Sequence, residues 1–257
     1  MNERSGVIMS DYSFKEESKK MLQLLKYTRQ WKQNLAVAIL FYVLGIFLIM
    51  IGGFNTFLGG MYMVIAGNML FNGYEQLFMT SYMNTSARHR YYSIDLFLVF
   101  SIISITIGYV MALMVLALKE MLINRDWDEH IQFVISKLNM GMKSGTVLVF
   151  IGIMGMILII YYSVQSKMYG IAMIIYLVAF FGLYIVMINL STGDEINDTI
   201  LALGIKWKQI NISFGIGAVI GYVFILAGAV IAWLIRNAVY DRQYSPAYKK
   251  MFLRLSK

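Results

Sequence analysis

Residues 33–74 read QNLAVAILFYVLGIFLIMIGGFNTFLGGMYMVIAGNMLFNGY, 42 consecutive positions without an Asp, Glu, Lys or Arg. An α-helix rises about 1.5 Å per residue and the hydrocarbon layer of a bilayer is about 30 Å thick, so about 20 apolar residues cross it. The run is long enough for two crossings, and Gly52-Gly53-Phe54-Asn55-Thr56 supplies the break between them, because Gly and Asn favour turns. The chain therefore reads as a helical hairpin in lipid at this point.

Four further charge-free runs lie at 96–118, 144–166, 168–193 and 209–235, with 23, 23, 26 and 27 residues, each suited to one helix. The reading is an all-α, polytopic membrane protein with six spans, at 35–54, 57–78, 96–118, 145–164, 169–190 and 214–235. Composition agrees: 59% of the 257 residues are hydrophobic and 14% charged, against about 45–50% and about 25% in soluble chains. Mean hydropathy is +0.66. No stretch shows the alternation of a transmembrane β-strand. The absence of cysteine excludes a disulfide framework and a thiolate metal site, and the single proline, Pro246, lies in the tail. The polar first 34 residues, followed by an apolar run with no small-residue cleavage site, predict no cleavable signal peptide.

Lys and Arg accumulate in cytoplasmic segments and so set orientation. With the N-terminus inside, 16 of the 22 basic residues are cytoplasmic: seven before the first span, Arg88 and Arg90, Lys167, and six from Arg236 onward. The outer face holds Lys119, Arg125, Lys137, Lys143, Lys206 and Lys208, offset by seven acids. The expectation is a multi-pass protein of the cell membrane, bacterial in type, with both termini cytoplasmic. Topology and anionic lipid then account for the +8 net charge without a nucleic-acid partner.

The organisation predicted is a cytoplasmic N-terminus (1–34), a transmembrane domain (35–236) and a basic cytoplasmic tail (237–257). In the first part Phe14, Met21, Leu24, Leu25, Thr28 and Trp31 recur at helical spacing with lysines on other faces. This reads as an interfacial amphipathic helix, serving as an anchor or as a docking surface for a cytoplasmic partner. Segment 119–143 carries a second stripe, Ile123, Trp127, Ile131, Val134, Ile135 and Leu138, with Asn124 or Asp126 as N-cap, and is expected to lie flat on the outer surface or to act as a lid.

Segment 73–95, between spans two and three, is too long for a minimal loop. Glu75 stands near the inner end of a span, where an ionised carboxylate costs several kcal/mol unless it is paired or reaches water. Arg88 and Arg90 are its expected partners, giving a rigid handle at the membrane face. The plainer alternative is that Arg88, His89 and Arg90 follow the positive-inside tendency, with Tyr91 and Tyr92 as aromatic-belt anchors.

With this layout in view, the chain resembles the membrane subunit of an ABC-2-type ABC exporter: amphipathic N-terminal helix, six spans, cytoplasmic ends, and a cytoplasmic helix between spans two and three. The sharpest point is Glu75 followed by Thr85-Ser86-Ala87-Arg88-His89-Arg90-Tyr91, similar to the family's glutamate and its Pro-x-Ser-Arg turn, with Asn84-Thr85 where the proline would stand. The resemblance implies an ATPase-coupling segment over 80–95, carried by Glu75, Thr85, Ser86, Arg88, His89, Arg90, Tyr91 and Tyr92. It also implies a partner ABC ATP-binding subunit, ATP and magnesium on that partner, no cofactor on this chain, and a second permease subunit, identical or not. A second resemblance lies at Glu195-Ile196 and at Ile200-Leu-Ala-Leu-Gly-Ile-Lys-Trp-Lys-Gln209, which is similar to a block of FtsX/MacB-type permeases. In those proteins the block is cytoplasmic, whereas the charge distribution puts it outside here.

The chain has no Gly-rich loop ending in Gly-Lys-Ser/Thr, so no ATP-cradling loop of its own. Its two histidines, His89 and His130, form no H-E-x-x-H motif, and there is no Gly-x-Ser-x-Gly elbow, so it is expected not to be an enzyme and to bind no metal. Gly217-Ala-Val-Ile-Gly221 is a G-x-x-x-G pattern for packing within the chain or at a dimer seam. Asn68, Asn72 and Asn189 are costly in lipid, are expected to face the bundle, and are the candidates for a substrate path. The expected function is export of an amphipathic substrate, peptide or lipid-like. The alternatives are a non-transporting scaffold or sensor, or an FtsX-like transmitter of force.

Overall fold

The computed structural model describes residues 19, 23, 31–52, 55–71, 95–133, 143–191 and 212–244. Five helices account for most of them: α1 (Trp31–Ile51), α2 (Asn55–Phe71), α3 (Phe97–Ile123), α4 (Ser144–Ser191) and α5 (Phe214–Tyr244). No strand occurs among the described residues. Among the described residues, four helical stretches are long and apolar enough to cross a membrane: α1, Leu98–Ile123 of α3, Ser144–Tyr161 of α4 and Phe214–Ala238 of α5. The exterior agrees with lipid as solvent, since Phe47, Val43, Met121, Val219 and Val230 all show about 60% or more of their surface, and water does not tolerate so continuous an apolar exterior.

The turn read from Gly52 and Asn55 is present. α1 stops at Ile51, Gly52 takes a φ of 86°, and α2 starts at Asn55. A positive φ costs a glycine little because it has no Cβ to clash.

Close approach of backbones sets the order of the helices. A Cβ on Gly45 would stand 2.8 Å from the Gly59 carbonyl oxygen, which fixes α1 antiparallel to α2. Gly67 lies against Ser104 and Gly108, and Gly108 against Met63 and Val64, so α2 and α3 are antiparallel. α4 and α5 share the largest interface. There Gly145 meets Gly217, Gly152 meets Gly221 and Met156 meets Gly228, a rising register on both sides, so the first part of α4 runs parallel to α5. The G-x-x-x-G pair of α5 is thus spent on packing within the chain. Lipid tails are as apolar as leucine, so burial against a neighbouring helix gains little transfer energy; small residues that let backbones touch do the work.

The core joins the two halves through Phe57, Met61, Tyr109, Ala112, Ile151 and Ile225, with Phe57 edge-on to Phe150 at 6.5 Å between ring centroids. The first part of α4 is the most enclosed of the four candidate spans and α1 the least. As a result α2, α4 and α5 begin at one end of the bundle, and the start of α1, the end of α2, the start of α3 and the end of α5 lie at the other.

Several boundaries differ from the sequence reading. α1 begins at Trp31, within the expected cytoplasmic N-terminus (1–34), and stops at Ile51, short of 54. α3 runs through Ile123, past the expected stop at 118, and α5 runs through Tyr244, past 235. α4 is one helix of 48 residues through 165–168, where two spans with a break were expected. Lys167 ends an apolar run without interrupting backbone hydrogen bonding, because lysine is itself a good helix former. Straight, α4 would be about 72 Å long and would carry Leu183 about 36 Å beyond Ile159. Yet Leu183 packs against the core cluster to which Ile159 belongs, so α4 bends between them.

Candidate functional site

Among the residues whose burial is described, the buried polar side chains are Thr56, Asn68, Ser104, Lys119 and Thr146. Lys119 stands apart because it carries a charge. It lies one turn before the end of α3, is 6% exposed, and its Nζ donates to Thr56 Oγ1 at 3.1 Å across to the first turn of α2. No carboxylate among the described residues pairs with it. An ionisable group enclosed in a membrane bundle is costly and commonly functional.

The charge-free run ending at 118 predicts Lys119 in an outer surface segment over 119–143. The structure instead continues α3 through Lys119 to Ile123, because Met121, Leu122 and Ile123 extend the apolar pattern and the lysine stem packs inward. Asn124 is the C-cap of α3, its backbone N–H donating to Glu120 O, and not the N-cap of a following helix. Helical structure resumes at 129–133, with Ile131 and Gln132 donating to Asp128 O. Trp127 closes the turn between them, with Nε1–H donating to Leu122 O at 2.7 Å and the Arg125 guanidinium 5.0 Å from its ring centroid. Val134, Ile135 and Leu138 lie outside the described residues.

At the same end Thr146, 1% exposed, accepts from Ile212 N at 3.2 Å and ties the start of α4 to the residues leading into α5. Deeper in, Tyr109 O–H donates to Ala218 O at 2.9 Å and its ring lies 6.3 Å from that of Tyr222. Neither Lys119 nor Tyr109 was singled out from sequence. A lysine directly after a charge-free run looks like a loop residue, and a tyrosine within a span looks like any other aromatic. Position along the helix is the one signal that would have found them, since both fall on the buried stripe of α3.

Of the proposed substrate-path residues, Asn68 is buried at 8% exposure. It follows Phe57, Met61 and Val64 on one stripe of α2, the stripe that meets Phe150 of α4. Asn72 lies outside the described residues, and Asn189 belongs to α4 as part of its helical backbone. The coupling residues Glu75, Thr85, Ser86, Arg88, His89, Arg90, Tyr91 and Tyr92 lie outside the described residues, as does most of the expected N-terminal amphipathic helix. The structure therefore brings together Thr56 with Lys119, Thr146 with Ile212, and Tyr109 with Ala218. No family model matches the chain, and no curated protein or solved structure matches it.

Proposed function

We propose that the chain is the membrane-spanning subunit of an ABC exporter, working with a separate ATP-binding subunit and a second permease subunit to move an amphipathic, peptide or lipid-like substrate. The observation that carries the reading is the gathering of ends. The end of α2, which leads into Glu75, the start of α3, which follows Arg88 and Arg90, the start of α1 and the end of α5 all lie at one end of the bundle. That end also receives the basic N-terminal and C-terminal segments, which favours the cytoplasm. A segment held there between two spans is where a cytoplasmic ATPase would push.

The direction of the helices supports six crossings. The chain passes Tyr161 of α4 near one end of the bundle and enters α5 at the other, so it must cross once more between them, and 168–193 is the apolar run long enough to do so. With α2 as the partner of α1 in a hairpin, the total is six and the ends agree. In this reading the chain is not itself catalytic, binds no cofactor, and leaves ATP and magnesium to its partner. Glu75, Thr85, Ser86, Arg88, His89, Arg90, Tyr91 and Tyr92 form the coupling surface, and Asn68, Asn72 and Asn189 border the substrate path.

The test is purification of the tagged full chain from its native membranes in mild detergent, with the eluate assayed for a stoichiometric nucleotide-binding protein and ATP hydrolysis. The expected result is an ATPase that co-purifies with the wild type and is lost from the Arg88→Glu, Arg90→Glu double variant, while membrane insertion is unchanged. Recovery of the chain with no ATPase, or undiminished coupling in the double variant, overturns the proposal in favour of a scaffold or sensor.

A further inference from the structure

We infer that Lys119 and Thr56 form a binding site for a phosphate group, carried by an anionic lipid or free in solution, at the end of the bundle where α2, α4 and α5 begin. This goes beyond the transport reading and stands without it. A lysine ammonium has three N–H donors. Lys119 directs one to Thr56 Oγ1, a neutral hydroxyl, and no carboxylate among the described residues takes up its charge. Both residues are at least nine-tenths buried. An enclosed cation whose one acceptor among the described residues is a neutral hydroxyl is an incomplete pair there, and an anion would complete it.

The surroundings specify the kind of anion. Thr56 lies in the first turn of α2, where backbone N–H groups have no acceptor within the helix. A tetrahedral oxyanion there can meet an ammonium, a hydroxyl and backbone N–H groups together, which suits phosphate.

Depth and neighbours favour an amphiphile as the source. Lys119 stands four residues, about 6 Å, before the end of α3, close to the level of lipid headgroups. Leu118 precedes it on α3 with 58% of its surface exposed, and Ile51 closes α1 at 44%. Acyl chains of a lipid whose phosphate sat on Lys119 would lie along this apolar surface.

Native mass spectrometry of the detergent-purified full chain tests the inference, with phosphatidylglycerol, phosphatidylcholine or inorganic phosphate added separately. Wild type is expected to retain phosphatidylglycerol over phosphatidylcholine, and Lys119→Gln to lower that retention about tenfold, the effect of losing one charge-assisted hydrogen bond. Lys119→Arg should keep most of the retention, which guards against a variant that merely fails to fold, and Thr56→Val should lower it less than Lys119→Gln does. If inorganic phosphate competes and raises the melting temperature in a Lys119-dependent way while phosphatidylglycerol has no preference, the site stands with free phosphate as its source. Retention independent of Lys119, together with no Lys119-dependent response to inorganic phosphate, overturns it.

Discussion

Tyr109 shows how one side chain can tie two halves of a bundle together. Its hydroxyl reaches the Ala218 carbonyl of α5, and Gly221 leaves the room, since a Cβ there would run into that hydroxyl. Tyr109→Phe keeps the ring and removes the bond, so a loss of about 1 kcal/mol is expected in SDS-titration unfolding from mixed micelles, with the fold retained. Glycines divide more sharply. Gly152 lies backbone to backbone on Gly221, whereas Gly215 has open space where its Cβ would be. Gly152→Val should separate α4 from α5 and deplete the folded fraction, while Gly215→Ala should change stability by less than about 0.5 kcal/mol in the same titration. The G-x-x-x-G spacing made Gly217 and Gly221 legible beforehand. Gly152 was not, because its partner is far away in sequence and has no fixed spacing from it.

At the level of elements, the apolar runs located the helices and charges misplaced their ends. Lys119 and Arg236 each follow a charge-free run, and in both cases the helix continues past them. A long basic side chain can remain in a helix if its stem packs on apolar neighbours and its head finds an acceptor. At the end of α3 Asn124 is the C-cap, and Trp127 Nε1–H bonds back to Leu122 O. Trp127→Phe leaves that carbonyl without its indole donor, so amide exchange over 120–124 should rise about fivefold, as expected for loss of about 1 kcal/mol of local protection. In α4 the helix continues through 165–168, where a break was expected, and bends somewhere between Ile159 and Leu183. Labels on Ile160→Cys and Gly182→Cys would be about 33 Å apart along a straight helix. Pulsed electron resonance should read a clearly shorter separation, and about 33 Å would mean that α4 is straight.

For the whole molecule, alternation of direction is the governing fact. α1, α2, α3 and the first part of α4 alternate, and α5 then runs parallel to α4, which returns the end of α5 to the end where α1 starts. The chain contains no cysteine, so single cysteines report sidedness cleanly. Lys32→Cys and Ala238→Cys should react with a membrane-impermeant maleimide from one face, and Asn124→Cys and Ser213→Cys from the other. With both termini cytoplasmic, the first pair reacts in intact cells only after permeabilisation.

The sequence by itself determined the all-helical class, the hairpin at Gly52 and the apolar stretches that would form helices, because crossing lipid demands about 20 uncharged residues and backbone bonds satisfied within each helix. Those are local requirements, readable in any window of the chain. Tertiary structure alone decided that Lys119 turns inward to Thr56, that α4 and α5 run in the same direction, and that Tyr109 reaches α5. Each of these depends on which surface a helix presents to a neighbour distant in sequence, and in lipid that choice rests on backbone contact between small residues and a few buried polar groups rather than on hydrophobic pattern.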